Sequence, residues 1–181
     1  DKVLAVTEIA KKDASCAAIL SIHTIFASVL NKFGTEEQKQ KYLVPLLKGE
    51  KLGAFAVTEP SAGSDLGNQK TTAVDKGDYW LLNGTKIFIT NGFYADTYFV
   101  TAVTDKSQRN RGISAFIVEK GTPGFTFGTK EKKMGIRGSA TYELVFQDCK
   151  IPKENLLGEL GKGFKMALIT LDGGRIGVAA Q

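Results

Sequence analysis

The sequence has few residues of the kinds that build metal sites and disulfide frameworks. Its 181 residues include one histidine and two cysteines, Cys16 and Cys149, which lie far apart and match no metal-ligand spacing. We therefore expect no metal site, and two free thiols, buried or partly buried, in a reducing compartment. The histidine, His23, falls on an apolar helical segment, which predicts a core or pocket-wall residue rather than a general base.

Long apolar runs and targeting signals are also missing. The most apolar segment, residues 17–30, is interrupted by polar side chains and is shorter than the roughly eighteen residues that span a bilayer. The first residues lack the basic start, apolar middle and small-residue cleavage site of a signal peptide. We therefore expect a protein that is neither secreted nor inserted in a membrane.

A modest positive charge raises the question of a nucleic-acid partner. The net charge is +5, but the lysines are spread along the chain, and the densest basic groups, at 109–111 and 130–133, lack interleaved aromatic residues. A solvated surface is therefore favoured, and we expect no nucleic-acid partner. A third interpretation fits the charge excess better, namely that basic residues lie near a site for a polyphosphate ligand.

The first fifty residues have the periodicity of helices. Two apolar helices are predicted over residues 2–12 and 17–31, and Asp13 at their junction can cap the second. Thr35 and Gln38 have the spacing of a capping box that opens a third helix. Pro45 should end or kink that helix.

After residue 50 the pattern changes to short strands separated by turns. The strongest hairpin signal is Asn83-Gly84, because strand-like residues flank it on both sides. Many short strands with turns between them predict an antiparallel barrel or sandwich. The predicted strands are residues 52–58, 70–75, 79–83, 85–90, 97–104, 112–119, 125–130 and 141–147.

The end of the chain returns to a helical pattern. Residues 152–163 have the glycines and prolines of a linker, and a helix begins near Phe164 and reaches Gln181 without a stop signal. We therefore expect the chain to be a piece of a longer protein. The predicted fold class is α+β, with a helical segment, an antiparallel β-barrel or sandwich, and the first helix of a further helical bundle.

Two segments have the residue types of a ligand site. In the first, residues 55–65, a strand meets Pro60 and then a loop of small and hydroxyl residues, where an anion such as a pyrophosphate could approach the backbone amides. The second, residues 86–92, is an aromatic strand that ends in Thr90-Asn91-Gly92. In this order, about thirty residues apart, the two segments resemble the flavin-binding middle domain of acyl-CoA dehydrogenases.

The resemblance implies two walls around an FAD, the first formed by residues 55–64 and the second by residues 88–90. Val57 and Thr58 would face the pyrimidine edge, where donors favour the negative charge that arrives with a hydride. Ser64 would bind the pyrophosphate and lie close to the acyl-CoA, and Thr90 would bond near flavin N5. The residues that the resemblance places at the cofactor are Phe55, Val57, Thr58, Gly63, Ser64, Phe88, Ile89 and Thr90.

Phe88 departs from the commonest family pattern, which has tryptophan at this position. Phenylalanine there is similar to the short-chain, butyryl-CoA branch, and its ring would pack against the flavin. A role in the strand core alone stays open, because both roles need a buried aromatic side chain.

A third motif, residues 171–175, lies in the last helix. Asp172 and Arg175 share a helix face and could form only a surface ion pair. The two glycines between them cost about 1 kcal/mol each in a helix, which suggests close approach by another chain or a ligand. By resemblance, the residues that face acyl-CoA are Ser64, Asn110, Asp172, Gly173, Gly174 and Arg175.

The resemblance leaves the catalytic base outside this chain. In most of the family it is a glutamate of the C-terminal helical domain, and in a minority it occupies the position of Gly174, where glycine cannot serve. Glu59 precedes Pro60 within the family motif, where a structural role is favoured. No catalytic residue is therefore assigned in this chain.

The implied whole protein is a flavoenzyme of fatty acid metabolism, cytoplasmic in bacteria or mitochondrial, that oxidises short acyl-CoA to 2-enoyl-CoA. Electrons would pass to an electron-transfer flavoprotein, and the enzyme would be a homo-oligomer, commonly a tetramer. The implied domains are residues 1–51, the end of an N-terminal helical domain; 52–157, the flavin-binding domain; and 158–181, the start of a C-terminal helical domain. Alternatives are an enoyl- or acryloyl-CoA reductase, an acyl-CoA oxidase, or a β-barrel interaction module without a cofactor.

Overall fold

The computed structural model describes residues 2–181; Asp1, the first residue of the predicted N-terminal segment, lies outside them. The described residues form a helical layer packed against a mixed eight-stranded sheet. The helices are α1 (Lys2–Ala10), α2 (Ala14–Phe33), α3 (Glu36–Gln38), α4 (Val44–Leu47) and α5 (Gly163–Ala180). The strands are β1 (Gly53–Ala56), β2 (Thr72–Asp75), β3 (Tyr79–Thr90), β4 (Thr97–Val103), β5 (Ile113–Glu119), β6 (Phe125–Lys130), β7 (Thr141–Pro152) and β8 (Leu156–Leu157).

The helix ends follow the local sequence signals. Asp13 caps α2 by accepting from the backbone amides of Ser15 at 2.6 Å and Cys16 at 3.2 Å, as predicted. Thr35 and Gln38 form the predicted capping box. Pro45 does not end its helix: a five-residue π turn, Lys39–Leu43, precedes it, and the helix continues to Leu47. The π turn accommodates the missing proline amide.

The sheet is mixed rather than purely antiparallel. Its strand order is β6-β7-β3-β2-β4-β5-β8, and β1 pairs with β4. Most ladders are antiparallel as predicted, but β1 and β2 each run parallel to β4. The α+β class with a sandwich-like middle domain is confirmed.

The predicted hairpin at Asn83-Gly84 is wrong. Residues 79–90 form one twelve-residue strand, and its pairing with β7 shifts register between Leu82 and Gly84. Gly84 has φ 148°, and a Cβ there would lie 2.6 Å from the Cα of Thr71. Asn83 exchanges hydrogen bonds with Asp148 of β7. The dipeptide therefore makes a β-bulge within a continuous strand.

Two hydrophobic cores lie on opposite faces of the central strands. Phe55 and Phe99 stack at 4.5 Å between ring centroids, on the face that packs against α2 and α5. Tyr98 and Phe116 are fully buried on the other face, inside the sandwich. Because β1, β4 and β5 are covered on both sides, they read as near-continuous apolar runs.

Helix α2 explains the apolar segment near the N-terminus. It is 20 residues long, and an 18-residue window within it has a mean hydropathy of 1.6, so length and composition alone would let it cross a membrane. It is thus longer than the apolar segment identified in the sequence, and it packs against β1, α1 and α5 as a core helix does. His23 on this helix accepts from the Gly53 amide and faces the Leu46 carbonyl, which agrees with the predicted structural role.

The two thiols differ in environment, which corrects the expectation for one of them. Cys16 is exposed in the first turn of α2, whereas Cys149 is fully buried in β7 and burial raises its pKa to about 12.

We predict that iodoacetamide at neutral pH labels Cys16 and spares Cys149 until the protein is denatured. Peptide mass spectrometry of the native and denatured protein measures this; equal labelling of the two peptides in the native state would contradict it.

Candidate functional site

The two predicted walls lie side by side. The amide of Ile87 in β3 donates to the carbonyl of Thr58 at 2.9 Å, so the loop after β1 runs along the end of β3. This bond joins segments that are separated by about thirty residues in the chain. The structure therefore brings Thr58 beside the segment that contains Phe88 and Thr90.

The first wall is a tight loop with an open surface. Glu59 and Ala62 exchange both backbone hydrogen bonds, at 3.0 and 3.1 Å, around Pro60. Gly63 and Ser64 follow on the surface, and no atom lies within 4 Å of where a Cβ on Gly63 would be. The backbone there is accessible to a bulky ligand, as the sequence predicted for an anion.

The second wall is shaped by a bulge at Phe88. Phe88 has φ 58°, which is rare for a bulky residue, and the pairing with β7 shifts register between Lys86 and Ile89. The bulge turns Lys86 and Ile89 inward, while the Phe88 side chain stays 59% exposed. Within this chain Phe88 is therefore not a strand-core residue, and its ring is free to contact a ligand.

Phe88 and Thr90 line a cavity of about 500 Å³ together with a loop that the sequence analysis missed. The hydroxyl of Ser139 is buried and has no hydrogen-bond partner within residues 2–181. An exposed aromatic face beside an unpaired hydroxyl fits a flat heterocycle with a polar edge. The two glycines within residues 133–139 were a sequence signal for this loop, but their spacing matches no motif that would mark the loop as part of a ligand site. Six of the lining residues are Phe88, Thr90, Lys133, Ile136, Ser139 and Thr141.

Three of the predicted cofactor residues have side chains in the protein core. Phe55 and Val57 pack beneath the helices, and Ile89 is buried inside the sandwich. These positions can meet a ligand only through their backbone. Their role at the cofactor therefore stays a prediction, and it concerns only their backbone N–H and C=O groups.

Asn110 lies next to the loop that carries Ser64. Its side chain closes over Gly67, and both residues line a cavity of about 350 Å³ with Lys106 and Arg109. Arg109 has φ 49° within the turn that carries these side chains. The basic rim and its place beside the first wall fit the phosphate-bearing end of a ligand.

On α5 the predicted substrate residues split into two groups. Asp172, Gly173 and Arg175 are exposed, and within residues 2–181 no ion pair joins Asp172 to Arg175. Gly174 is buried, and a Cβ there would lie 2.9 Å from Cδ1 of Ile25. Close packing of α2 on α5 therefore accounts for Gly174, while the exposed three stay available to a ligand.

The most unusual group near the walls is Lys86, which the sequence analysis did not single out. Its side chain is fully buried, and Nζ donates to Glu59 Oε1 at 2.7 Å and to Gln69 Oε1 at 2.9 Å. Nζ also reaches the Val57 carbonyl at 3.3 Å and Thr101 Oγ1 at 3.4 Å. A lysine directly before the apolar residues 87–89 of a predicted strand was the available signal.

The protonation of this pair follows from its surroundings. Burial lowers the pKa of Lys86 to about 8, against the opposing attraction of the Glu59 carboxylate. Burial acts to raise the pKa of Glu59, but Lys86 and the amide of Lys70 more than offset it and hold that pKa below its usual value. Both groups are therefore charged at neutral pH.

Comparison with known proteins gives two family matches in chain order. Residues 1–50 match the family model described as acyl-CoA dehydrogenase, N-terminal domain. Residues 54–149 match the model described as acyl-CoA dehydrogenase, middle domain. The second match covers both predicted walls.

Two curated relatives illustrate the similarity. The chain is 62% identical over 182 residues to an "Acyl-CoA dehydrogenase, short-chain specific" of Megasphaera elsdenii, covering 99% of this chain and 47% of the relative. It is 54% identical over 183 residues to an "Acryloyl-CoA reductase (NADH)" of Anaerotignum propionicum, covering 100% of this chain and 46% of the relative. The chain thus spans about half the length of these relatives.

Two solved structures show the same family similarity. The butyryl-CoA dehydrogenase of Megasphaera elsdenii superposes with a TM-score of 0.97 at 61% identity, covering 98% of this chain and 47% of that one. A chain in the structure described as "Electron transferring flavoprotein of Acidaminococcus fermentans: Towards a mechanism of flavin-based electron bifurcation" gives the same four values.

Asn91, directly after the second wall, provides a test of how this region is held. It has φ 65°, is buried, and its side-chain amide donates to the Gly53 carbonyl at 3.1 Å and to the Ile19 carbonyl at 3.3 Å. We predict that Asn91→Ala lowers the free energy of unfolding by about 2–4 kcal/mol, because one buried and one partly buried carbonyl lose a donor and alanine is strained at positive φ.

The matched control is Asn91→Gly, which loses the same hydrogen bonds without the strain. Its cost should be smaller than that of alanine by about 1 kcal/mol. Denaturant unfolding of the two variants measures the difference. A cost for Asn91→Ala within about 0.5 kcal/mol of zero, as at an ordinary surface site, would show the contacts to be unimportant.

Proposed function

Since the chain belongs to the acyl-CoA dehydrogenase family, we propose that it is part of a FAD-dependent enzyme that oxidises short-chain acyl-CoA to 2-enoyl-CoA. One observation carries the proposal. The hydroxyl-rich loop and the end of β3 are joined at Thr58 and Ile87, and there Phe88 turns its ring outward from a left-handed backbone. Strained residues persist where their surroundings over-determine them, and they cluster at ligand sites.

The residues of the two walls fit FAD. The backbone of Val57 and Thr58 would face the pyrimidine edge, and the open backbone at Gly63 with Ser64 would receive the pyrophosphate. The ring of Phe88 would lie against the isoalloxazine, with Thr90 near N5. When bound, the flavin supplies the acceptor for the hydride that leaves Cβ of the substrate.

The acyl-CoA would extend from this wall toward the basic rim. Ser64 lies at the junction of the two ligands, and Asn110 beside Arg109 would meet the adenosine phosphate end. On α5, exposed Asp172 and Arg175 would contact the CoA arm, with Gly173 leaving room beside them. Gly174 would act by letting α5 approach α2 closely.

The proposed domain boundaries lie between residues 51 and 52 and between residues 157 and 158, as predicted from the sequence.

The base that removes the Cα proton is proposed to lie outside this chain. Glu59 is a carboxylate within the first wall, but it is 3% exposed and bound to Lys86 and to backbone amides. Its low pKa and its burial make it unsuited to receive a substrate proton. This supports a structural role for Glu59.

For the whole protein we propose a homo-oligomer, commonly a tetramer in this family, in the bacterial cytoplasm or the mitochondrial matrix. Its electron partner is proposed to be an electron-transfer flavoprotein, which the description of one structural relative favours. A second candidate is the reverse reaction, reduction of a short enoyl-CoA, which the acryloyl-CoA reductase relative favours. Comparing turnover with an electron-transfer flavoprotein and with NADH decides between the two candidates.

The experiment that tests the proposal uses the full-length protein. It should purify with FAD, and anaerobic butyryl-CoA should bleach the visible flavin band, because the substrate reduces the bound cofactor. Free butyrate is the control and should leave the band unchanged, since it lacks the thioester. Protein without flavin, or flavin that no short acyl-CoA bleaches, would contradict the proposal.

Phe88 allows its ligand role to be separated from its structural role. We predict that Phe88→Gly leaves the stability of the flavin-free protein unchanged or raises it by about 1 kcal/mol, because glycine relieves the positive φ and the lost ring is exposed. The same variant should bind FAD about tenfold more weakly, since an aromatic stacking partner is lost.

Flavin fluorescence titration and thermal unfolding of the same preparations give both values. The control is Tyr94→Ala, which removes another aromatic side chain of 58% exposure away from the cavity of Phe88. Its FAD affinity should match the unsubstituted protein. If Phe88→Gly destabilised the flavin-free protein and left FAD affinity intact, the ring would be a fold determinant instead.

A further inference from the structure

The buried pair of Lys86 and Glu59 lies where the two walls meet. Lys86 is two residues before Phe88 on β3, and Glu59 directly follows Thr58 in the loop. The Ile87–Thr58 backbone bond lies immediately beside the pair. The pair and this bond therefore connect the loop to the strand at adjacent positions.

Lys86 also joins the two ends of the loop to each other. Its ammonium contacts Val57 and Glu59 where the loop begins, and Gln69 where it ends. An ammonium has three donors, so these contacts use its capacity, with Thr101 at the longest distance, 3.4 Å. The segment from 57 to 69 is therefore closed around one buried charge.

Glu59 closes the loop a second time. Its carboxylate accepts from the amide of Lys70 at 2.6 Å and from that of Thr71 at 3.2 Å, just beyond the loop. Its backbone pairs with Ala62 within the loop. A carboxylate that accepts from two amides and an ammonium has most of its acceptor sites occupied, and these bonds fix its position.

We propose that the Glu59–Lys86 pair positions the flavin wall formed by residues 57–64 against the end of β3, so that Thr58 and Phe88 meet one ligand in a fixed geometry. This rests on the proposed function, because the ligand is FAD. Both are positioning residues: their charged groups are buried and act through Val57, Thr58 and the loop backbone.

A purely structural role makes a different prediction. If the pair only stabilised the fold, its loss would lower the stability of the flavin-free protein and leave the affinity for FAD, measured well below the unfolding temperature, unchanged. If it positions the loop, the affinity changes while the flavin-free protein remains folded. The two effects are measured separately, since denaturant unfolding of the flavin-free protein gives its stability and FAD titration of the folded protein gives its affinity.

The test uses the full-length protein with the double substitution Glu59→Gln and Lys86→Met. This variant leaves no unpaired buried charge, and the glutamine oxygen can still accept from the amides of Lys70 and Thr71. We expect the Kd for FAD of the flavin-free protein to rise about tenfold or more, the visible circular dichroism of bound flavin to change, and amide exchange in residues 57–70 to accelerate.

The control is the partly exposed pair Lys41 and Glu119, which receives the same substitutions, Lys41→Met and Glu119→Gln. These residues make a 2.8 Å ion pair in a cavity that includes none of residues 57–64 or 88–90. The control should leave the FAD Kd within about twofold of the unsubstituted protein. Gln69→Leu is a second variant, which removes the Lys86 contact at the far end of the loop and introduces no charge. It should raise the Kd about threefold even if the double variant does not fold.

Unchanged FAD affinity in the folded double variant, or in Gln69→Leu where the double variant does not fold, would overturn the proposal. Failure of the proposed function has another signature, since the unsubstituted protein would then not bind FAD at all. Equal loss of affinity in the control pair would also overturn the proposal, because a general loosening of the fold would explain it.

Discussion

Two opposite charges without access to water, on Lys86 and Glu59, determine how the loop after β1 lies on the sheet. Removing such ions from water costs several kcal/mol each, and their attraction offsets this cost only where geometry and further hydrogen bonds are good. Here the further partners include the Val57 carbonyl, Gln69 and the amide of Lys70. Because these partners lie on both sides of the loop, satisfying the two charges also fixes the loop.

The conformation of β3 depends on the same arrangement. Lys86 must point inward to reach Glu59, and Ile89 must point inward to fill the sandwich core. In a regular strand residues 86 and 89 face opposite sides, so one residue has to be out of register between them. The bulge at Phe88 meets this requirement at the cost of a left-handed backbone, which its exposed ring does not offset by packing. Asn91, also left-handed, is compensated by its two side-chain hydrogen bonds.

Local signals in the sequence were sufficient where the determining contacts are local. The cap at Asp13 and the capping box at Thr35 involve partners two or three residues away, and both are present. Asn83-Gly84 carries an equally local hairpin signal, but long-range pairing with β7 and the proximity of Thr71 turned it into a bulge. The parallel pairing of β1 with β4, the exposure of Cys16 and the partner of Lys86 all depend on contacts far apart in sequence. The family motif singled out the two segments that the structure joins at Thr58 and Ile87, whereas the loop at 133–139 was identified only through the cavity it shares with Phe88.

A buried ion pair is a poor means of gaining stability, since an apolar pair of similar volume is often neutral or more favourable. Its advantage lies in direction: an ammonium and a carboxylate accept only partners placed at hydrogen-bond geometry, whereas apolar side chains tolerate several arrangements of similar energy. The loop of residues 57–64 has little apolar surface of its own beyond Val57 and Ala62, so packing alone would hold its exposed part weakly. A surface loop of this composition therefore needs a directional constraint beneath it to hold one conformation. The pair of Lys86 and Glu59 supplies that constraint where the loop meets the strand.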